Sequence, residues 1–443
     1  MLVYEFRRLI NDRKNVYFFA LILGALLYFV NSGIREYLQF QADRTQVLAY
    51  EKAQVKNFPT YKHYSGFGFR VLFEPSPLSI FFNNSTVLFD IEGKIDNTEV
   101  LKIYNLFKGK KLFYNRGYFK DFSGFIFFTG SLLMIYMGII GFRSMDRLKF
   151  ELQFLSLKKL FILSTAVRLF YLNLFFALAM MFSFGFALLQ GLSFSMVEIH
   201  HYIAFMVYTL ILLNFFYFLG LLLVILLKFR KTSYIWMFIL WLFFIFLAPD
   251  LNRLFLFEDT KNLPTTASVE AEKVKQLLDF ESNVLKGYEV AKKDKEKLRT
   301  FYTTYINQFL ENFHLANKNK EEFLSRILEQ SIRTYETRSL LFPTLYYFFL
   351  SAETSSKGYF GYLDFKDHMI ATHEQFLRFY FTKYFIEKSK KVENFVKHNE
   401  NLFKARSYLP GTFLWACLLS LQYCLLMGIA GFMLLKRLVY PHD

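Results

Sequence analysis

Apolar and polar residues fall in blocks along this chain rather than alternating residue by residue. Runs free of charge cover Val16–Val30, Phe122–Phe142, about Leu169–Leu189, Tyr202–Leu227, Tyr234–Ala248 and Gly411–Leu435, and charged stretches fill the intervals. A helix rises about 1.5 Å per residue, so roughly 20 apolar residues cross a bilayer core of about 30 Å. The pattern predicts an all-α polytopic membrane protein with six transmembrane helices, arranged as one, then four, then one. Residues 1–15 form an amphipathic elbow and 16–34 the first span. A first insertion covers 35–121, spans two to five lie within 122–249, and a second insertion covers 250–409. The sixth span is expected at 410–436 and a short tail at 437–443. No small-x-small cleavage site follows the first apolar run at Asn31–Gly33, which predicts an uncleaved span.

The insertions differ in pattern. In 250–409 apolar residues recur at helical spacing: Phe301, Tyr305, Phe309 and Phe313; Leu324, Leu328, Ile332 and Tyr335; Phe376, Tyr380 and Tyr384. Each stripe needs a partner face, which predicts a packed helical domain. The insertion 35–121 is mixed. It begins helical near 35–57, and Gly66–Phe73 and Thr86–Ile91 read as strands with turn residues between them.

Lysine and arginine in the short connections set orientation. Arg7, Arg8, Arg13 and Lys14 precede the first span, and Arg143, Arg147, Lys149, Lys158, Lys159 and Arg168 lie between the second and third. Lys228, Arg230 and Lys231 follow the fourth, and Lys436 and Arg437 follow the sixth. The connection Gly191–His201 has neither residue type. The expectation is cytoplasmic termini and two extracytoplasmic insertions. All eight prolines (59, 75, 77, 249, 264, 343, 410 and 441) lie outside the spans or at their very ends, where a lost backbone hydrogen bond still finds water.

Composition narrows the function. The 443 residues are 54% hydrophobic and 21% aromatic, and the formal net charge is +16. With no RNA-binding signature or zinc spacing beside it, that charge points to anionic lipid at the bilayer and not to nucleic acid. The two cysteines, Cys417 and Cys424, both sit in the last apolar run and read as packing residues. Gly93–Lys94–Ile95 and Gly109–Lys110–Lys111 are not followed by Ser or Thr, so there is no P-loop. Asp364, His368 and His373 are spaced too loosely for a metal site and read as a solvated helix face, and Asp90 with Glu92 reads as the wet face of a strand. The chain is expected to be no enzyme and to hold no metal or cofactor. The span interiors contain no Asp, Glu or Lys; their strongest polar groups are carboxamides such as Asn214 and Gln422. Ion-coupled transport normally uses buried ionisable groups, so energy for any transport is expected from a partner.

Three stretches give the chain a resemblance to ABC-2 type permeases, in the branch with large outer loops after spans one and five. Tyr4–Asn15 (YEFRRLINDRKN) resembles the elbow before span one, and Phe73–Phe81 (FEPSPLSIF) resembles the proline-containing outer segment. Residues 247–254, 263–270 and 340–365 resemble the second outer domain. The loop Arg143–Phe161 departs from that family's pattern, with Asp146 and Glu151 but no Gly or Pro. The resemblance implies the permease subunit of an exporter in a bacterial inner membrane, paired with a second copy or a related permease and driven by a separate ABC ATPase subunit. It implies an ATPase-docking set of Glu5, Phe6 and Arg7 in the elbow and Arg147, Phe150, Glu151, Phe154 and Leu157 in the loop 143–161. Phe150, Phe154 and Leu157 share one helical face. The alternative is a non-transporting scaffold whose outer domain docks an envelope complex.

Overall fold

The apolar blocks are helices, and polar residues at their ends fix where several begin. The computed structural model describes residues 13–82, 92–95, 121–141, 152–153, 156–228, 232–247, 266–292, 294–389, 391–395 and 402–440. Helix α1 (Arg13–Gln54) is followed by α2 (Tyr61–Phe67), β1 (Phe69–Glu74) and β2 (Glu92–Ile95). Helix α3 covers 122–141, with a π-helical turn at Ile126–Gly130. Next come α4 (Leu157–Leu189), α5 (Met196–Leu226) and α6 (Ser233–Leu242), the last continued by a π-helical turn at Phe243–Leu247. Helices α7 (Thr266–Ala291), α8 (Lys295–Ser339), α9 (Pro343–Thr354) and α10 (Tyr359–Phe381) follow. Strand β3 (Leu402–Lys404) and α11 (Phe413–Val439) complete the order.

Five of these helices (α1, α3, α4, α5 and α11) are long and apolar enough to cross a membrane. Helix α6 with its π-helical turn is apolar but shorter, about 22 Å at 1.5 Å per residue. The chain is thus a helical membrane protein. Asp121 starts α3 by accepting from the Gly124 amide at 2.7 Å, and Ser195 with Glu198 forms a capping box at the start of α5. Lys436 and Arg437 lie in the last turn of α11, where their charge complements the helix dipole.

Helices α3 and α5 form the centre of the bundle: 67% of the apolar window in each is buried, against 28% in α1, 33% in α4 and 22% in α11. The two central backbones touch. A Cβ on Gly138 would lie 2.3 Å from the Tyr217 carbonyl oxygen, and one on Gly220 would lie 2.2 Å from that of Ile135. Trp241 Nε1 donates to Ser131 Oγ at 3.0 Å, tying α6 to α3.

Helix α1 does not stop where its apolar run stops. Its 42 residues reach about 63 Å, twice the bilayer core, and carry the chain into a polar domain. There Arg44 pairs with Glu74 at 2.6 Å, and Gln41 Nε2 donates to Glu74 at 3.3 Å.

The sheet changes the picture of two separate insertions. Its order is β2-β1-β3: β1 runs antiparallel to β2, pairing Phe69 with Ile95, and parallel to β3, pairing Leu72 with Leu402. The second insertion, expected to be helical, therefore supplies a strand to the first. One core follows from this. Tyr64, Phe69, Phe73 and Ile95 pack with Phe365, Phe376, Tyr380 and Phe395. Neither insertion buries its apolar face alone. Of the two expected strands, the first lies at Phe69–Glu74; the second observed strand is Glu92–Ile95, and 83–91 lie outside the described residues.

Candidate functional site at the domain-facing end of the bundle

Two segments of the polar domain dip back among the ends of the spans. The first is the 3-10 turn Pro77–Phe81. Its cap is Ser76, whose hydroxyl accepts from the Leu78 amide at 3.3 Å, and Pro77 occupies the first position, where a missing amide hydrogen is no loss. Leu78, Ile80, Phe81 and Phe82 are all buried. Phe81 meets Tyr202 at a ring-centroid distance of 4.8 Å and Phe122 at 5.2 Å, and Phe82 stands edge-on to Phe205 at 4.6 Å. Helix α1 passes so close that a Cβ on Gly33 would lie 2.1 Å from the Ile80 carbonyl oxygen.

The second segment is α9. Proline again starts the helix, and the whole of Pro343–Thr354 is buried apart from Phe348. Three tyrosine hydroxyls join it to the spans. Tyr208 of α5 donates to the Pro343 carbonyl at 3.0 Å, and Tyr347 donates to the Ser123 carbonyl at the start of α3 at 2.8 Å. Tyr346 meets Thr412, the cap of α11, at 3.3 Å. Tyr208 lies twelve residues into α5, about 18 Å from its first residue, so α9 starts well below the polar end of that helix. Tyr347 also contacts Phe127 and Phe205, each with ring centroids 5.2 Å apart.

The two segments meet each other. The Ser76 amide donates to Ser356 Oγ at 2.8 Å, and Ser76 Oγ donates to Glu198 at the start of α5. His201, one turn further on, contacts Ser407 Oγ at 2.8 Å.

Charged groups are buried at this junction. The Glu353 carboxylate accepts from the amides of Tyr359 at 2.7 Å and Phe360 at 3.2 Å, so it caps α10 from the preceding helix. Its backbone carbonyl accepts from the Tyr408 amide at 3.1 Å. Burial pushes the carboxyl up to about 8, against the two amides, which favour the anion; Glu336 and Asp364 push it the same way as burial. Burial likewise pulls the Lys357 ammonium down to about 8, and Asp121 and Glu36 oppose that shift. The arrangement closes one end of the bundle with aromatic rings and ties the closure to buried titratable groups.

Among the described residues no group of three or more His, Cys, Asp or Glu is placed to hold a metal. His368 packs on Phe403 with ring centroids 5.2 Å apart, while His373 is buried, so the two diverge; His373 is not on the solvated face expected for this trio. Both cysteines are free thiols, Cys424 buried.

Of the expected docking set, Glu5, Phe6, Arg7, Arg147, Phe150, Glu151 and Phe154 lie outside the described residues. Leu157 is the first residue of α4 and is buried in the core of the span bundle. Both closing segments lie within stretches the sequence singles out, 73–81 and 340–365, but nothing local there shows that they pack among the spans. Comparison with family models, curated proteins and solved structures finds nothing that matches this chain.

Proposed function

We propose that this chain is the membrane-spanning permease subunit of an ABC exporter, with six spans, cytoplasmic termini and the polar domain on the extracytoplasmic side. A separate ATPase subunit energises it, and a second copy or a related permease completes the pathway. The observation that carries this reading is the closure of the domain-facing end of the bundle by Pro77–Phe81 and α9. A path between spans needs an outer gate, and these two segments belong to the domain that would receive the substrate. Helix α1 supports the same reading, since it runs unbroken from the membrane to the ion pair Arg44–Glu74 and can carry span motion outward. The lysine and arginine distribution supports the orientation.

Exporter and scaffold make different demands. The tagged chain, purified from its native membrane, is expected to bring with it a P-loop subunit whose ATP hydrolysis rises when the two are reconstituted together. Replacing Phe150 and Phe154 with Asp is expected to abolish both, because truncating central apolar contacts at a docking site commonly costs about 2 kcal/mol or more. Purification without such a subunit, together with labelling of the polar domain that ignores nucleotide, would sink the exporter reading and leave the scaffold.

A further inference from the structure

We propose that a second copy of this chain docks on the face of α11 turned away from the bundle, with Gln422 on the two-fold axis. Helix α11 lies at the edge of the bundle. Its buried side chains are Ala416, Ser420, Cys424, Gly431 and Leu435. At about 100° per residue the centre of that stripe lies about 180° from Gln422, which is exposed. The amide therefore points straight away from its own spans. It sits nine residues into α11, about 13 Å along the helix and close to the middle of a bilayer core.

Hydrocarbon offers a carboxamide no hydrogen-bond partner. Among the described residues in the central stretches of the spans, Gln422 is the one amide or charged side chain that is exposed. Its neighbours on that face are apolar and large: Trp415 is 64% exposed, Leu418 59%, Leu425 66% and Ile429 54%. With Gln422 these positions are spaced three, four, three and four residues apart. That is the seam of a left-handed helix pair with leucine at two core positions and one polar residue at another, where a polar residue fixes register and partner number.

The occupant follows from the chemistry of the amide. A carboxamide carries donors and an acceptor, so it satisfies a copy of itself. A two-fold axis along the membrane normal brings each residue near it onto its own counterpart at the same depth. A different membrane protein would need a matching polar group at that depth, whereas a second copy has one by construction. The inference needs only that α11 crosses the membrane. It names the pairing face for the exporter reading, but the test below involves neither ATPase nor nucleotide, so either idea can fail alone.

The test uses the full chain with Cys417 and Cys424 replaced, Gln422 kept, and one cysteine introduced at position 418 or 425. Oxidation in native membranes is expected to give a covalent homodimer, identified by mass, in both cases. Leu178→Cys, exposed on α4, is expected to stay monomeric. In an otherwise natural chain, Gln422→Leu is expected to raise the dissociation constant, read by energy transfer between labelled copies in liposomes, about threefold to thirtyfold. Cross-linking at 418 and 425 no stronger than at 178, cross-linking to a different protein, or unchanged energy transfer in Gln422→Leu would each overturn the proposal.

Discussion

The Ser76 amide donates to the Ser356 hydroxyl at 2.8 Å across 280 residues of chain. This contact joins the turn Pro77–Phe81 to the end of α9, and the sealed end of the bundle is built around it.

The tyrosine anchors should be separable from the aromatic packing. Tyr208→Phe and Tyr347→Phe each remove one hydroxyl and leave a buried carbonyl, on Pro343 or Ser123, without that donor. Each is expected to lower stability by about 1–3 kcal/mol, read as a lower melting temperature of the detergent-solubilised protein. Melting equal to the parent protein would remove these bonds from the account of the closure.

A larger loss is expected from the ring at the centre of the closure. Phe81 is fully buried against Tyr202 and Phe122. Phe81→Ala should cost about 3–5 kcal/mol, and a cysteine placed at Phe127 should become reactive toward a water-soluble maleimide. Stability lost without any gain in reactivity would mean that the ring packs but does not seal.

The two buried groups Glu353 and Lys357, each shifted by burial, predict an unusual pH profile. The Glu353 carboxyl is raised from 4.5 to about 8, so between those values the folded chain binds more protons than the unfolded one, and its contribution to stability falls as pH rises. The Lys357 ammonium is lowered from 10.5 to about 8, so between 8 and 10.5 the folded chain binds fewer protons, and its contribution rises with pH. Together they place a minimum of stability near pH 8. Glu353→Gln should flatten the acid side of a melting profile recorded from pH 5 to 10, and Lys357→Met the alkaline side. A parent profile unchanged by either substitution would contradict the burial of these groups.

Close backbone contact at the centre of the bundle is a further point of sensitivity. Gly220→Leu would drive a side chain into the Ile135 carbonyl and force α3 away from α5. Overpacking of this kind typically costs about 1–3 kcal/mol, more where backbone has to move. Reduced yield of folded protein from membranes is expected. Gly24→Leu, on α1 with open space around its Cα, is expected to have little effect.

What the sequence revealed follows the length of each signal. The apolar runs at 122–142 and 202–227 correspond closely to α3 and α5, because a run of that length without charge has few alternatives to a spanning helix. Helix α4 starts at Leu157, twelve residues before its apolar run. Its first turns place Lys158 and Lys159 at the start and bury Leu160, Phe161 and Ser164, so charge and apolar residues average out over a window. Helix α1 outlasts its run in the same way, through a mixed stretch ending at Gln54. Helix α9 was invisible as part of the bundle. Its twelve residues are too few to cross a membrane, and nothing local says that Tyr346 and Tyr347 pack against spans rather than within the polar domain. Strand β3 has three residues, too short for any periodicity, and its partner lies far back in the chain.

The parallel pairing of Leu72 with Leu402 has a consequence for biogenesis. Strand β1 leaves the ribosome early, whereas β3 precedes only the last apolar helix. At about 5–20 residues per second, β1 waits on the order of tens of seconds for its neighbour. During that interval one edge of the strand carries unpaired backbone groups, a template for wrong partners. Every span except α11 is synthesised before the sheet can close, so the sheet cannot serve as an early folding nucleus. It forms as a late checkpoint, and a chain truncated ahead of residue 402 would carry every span but α11 and yet leave β1 open.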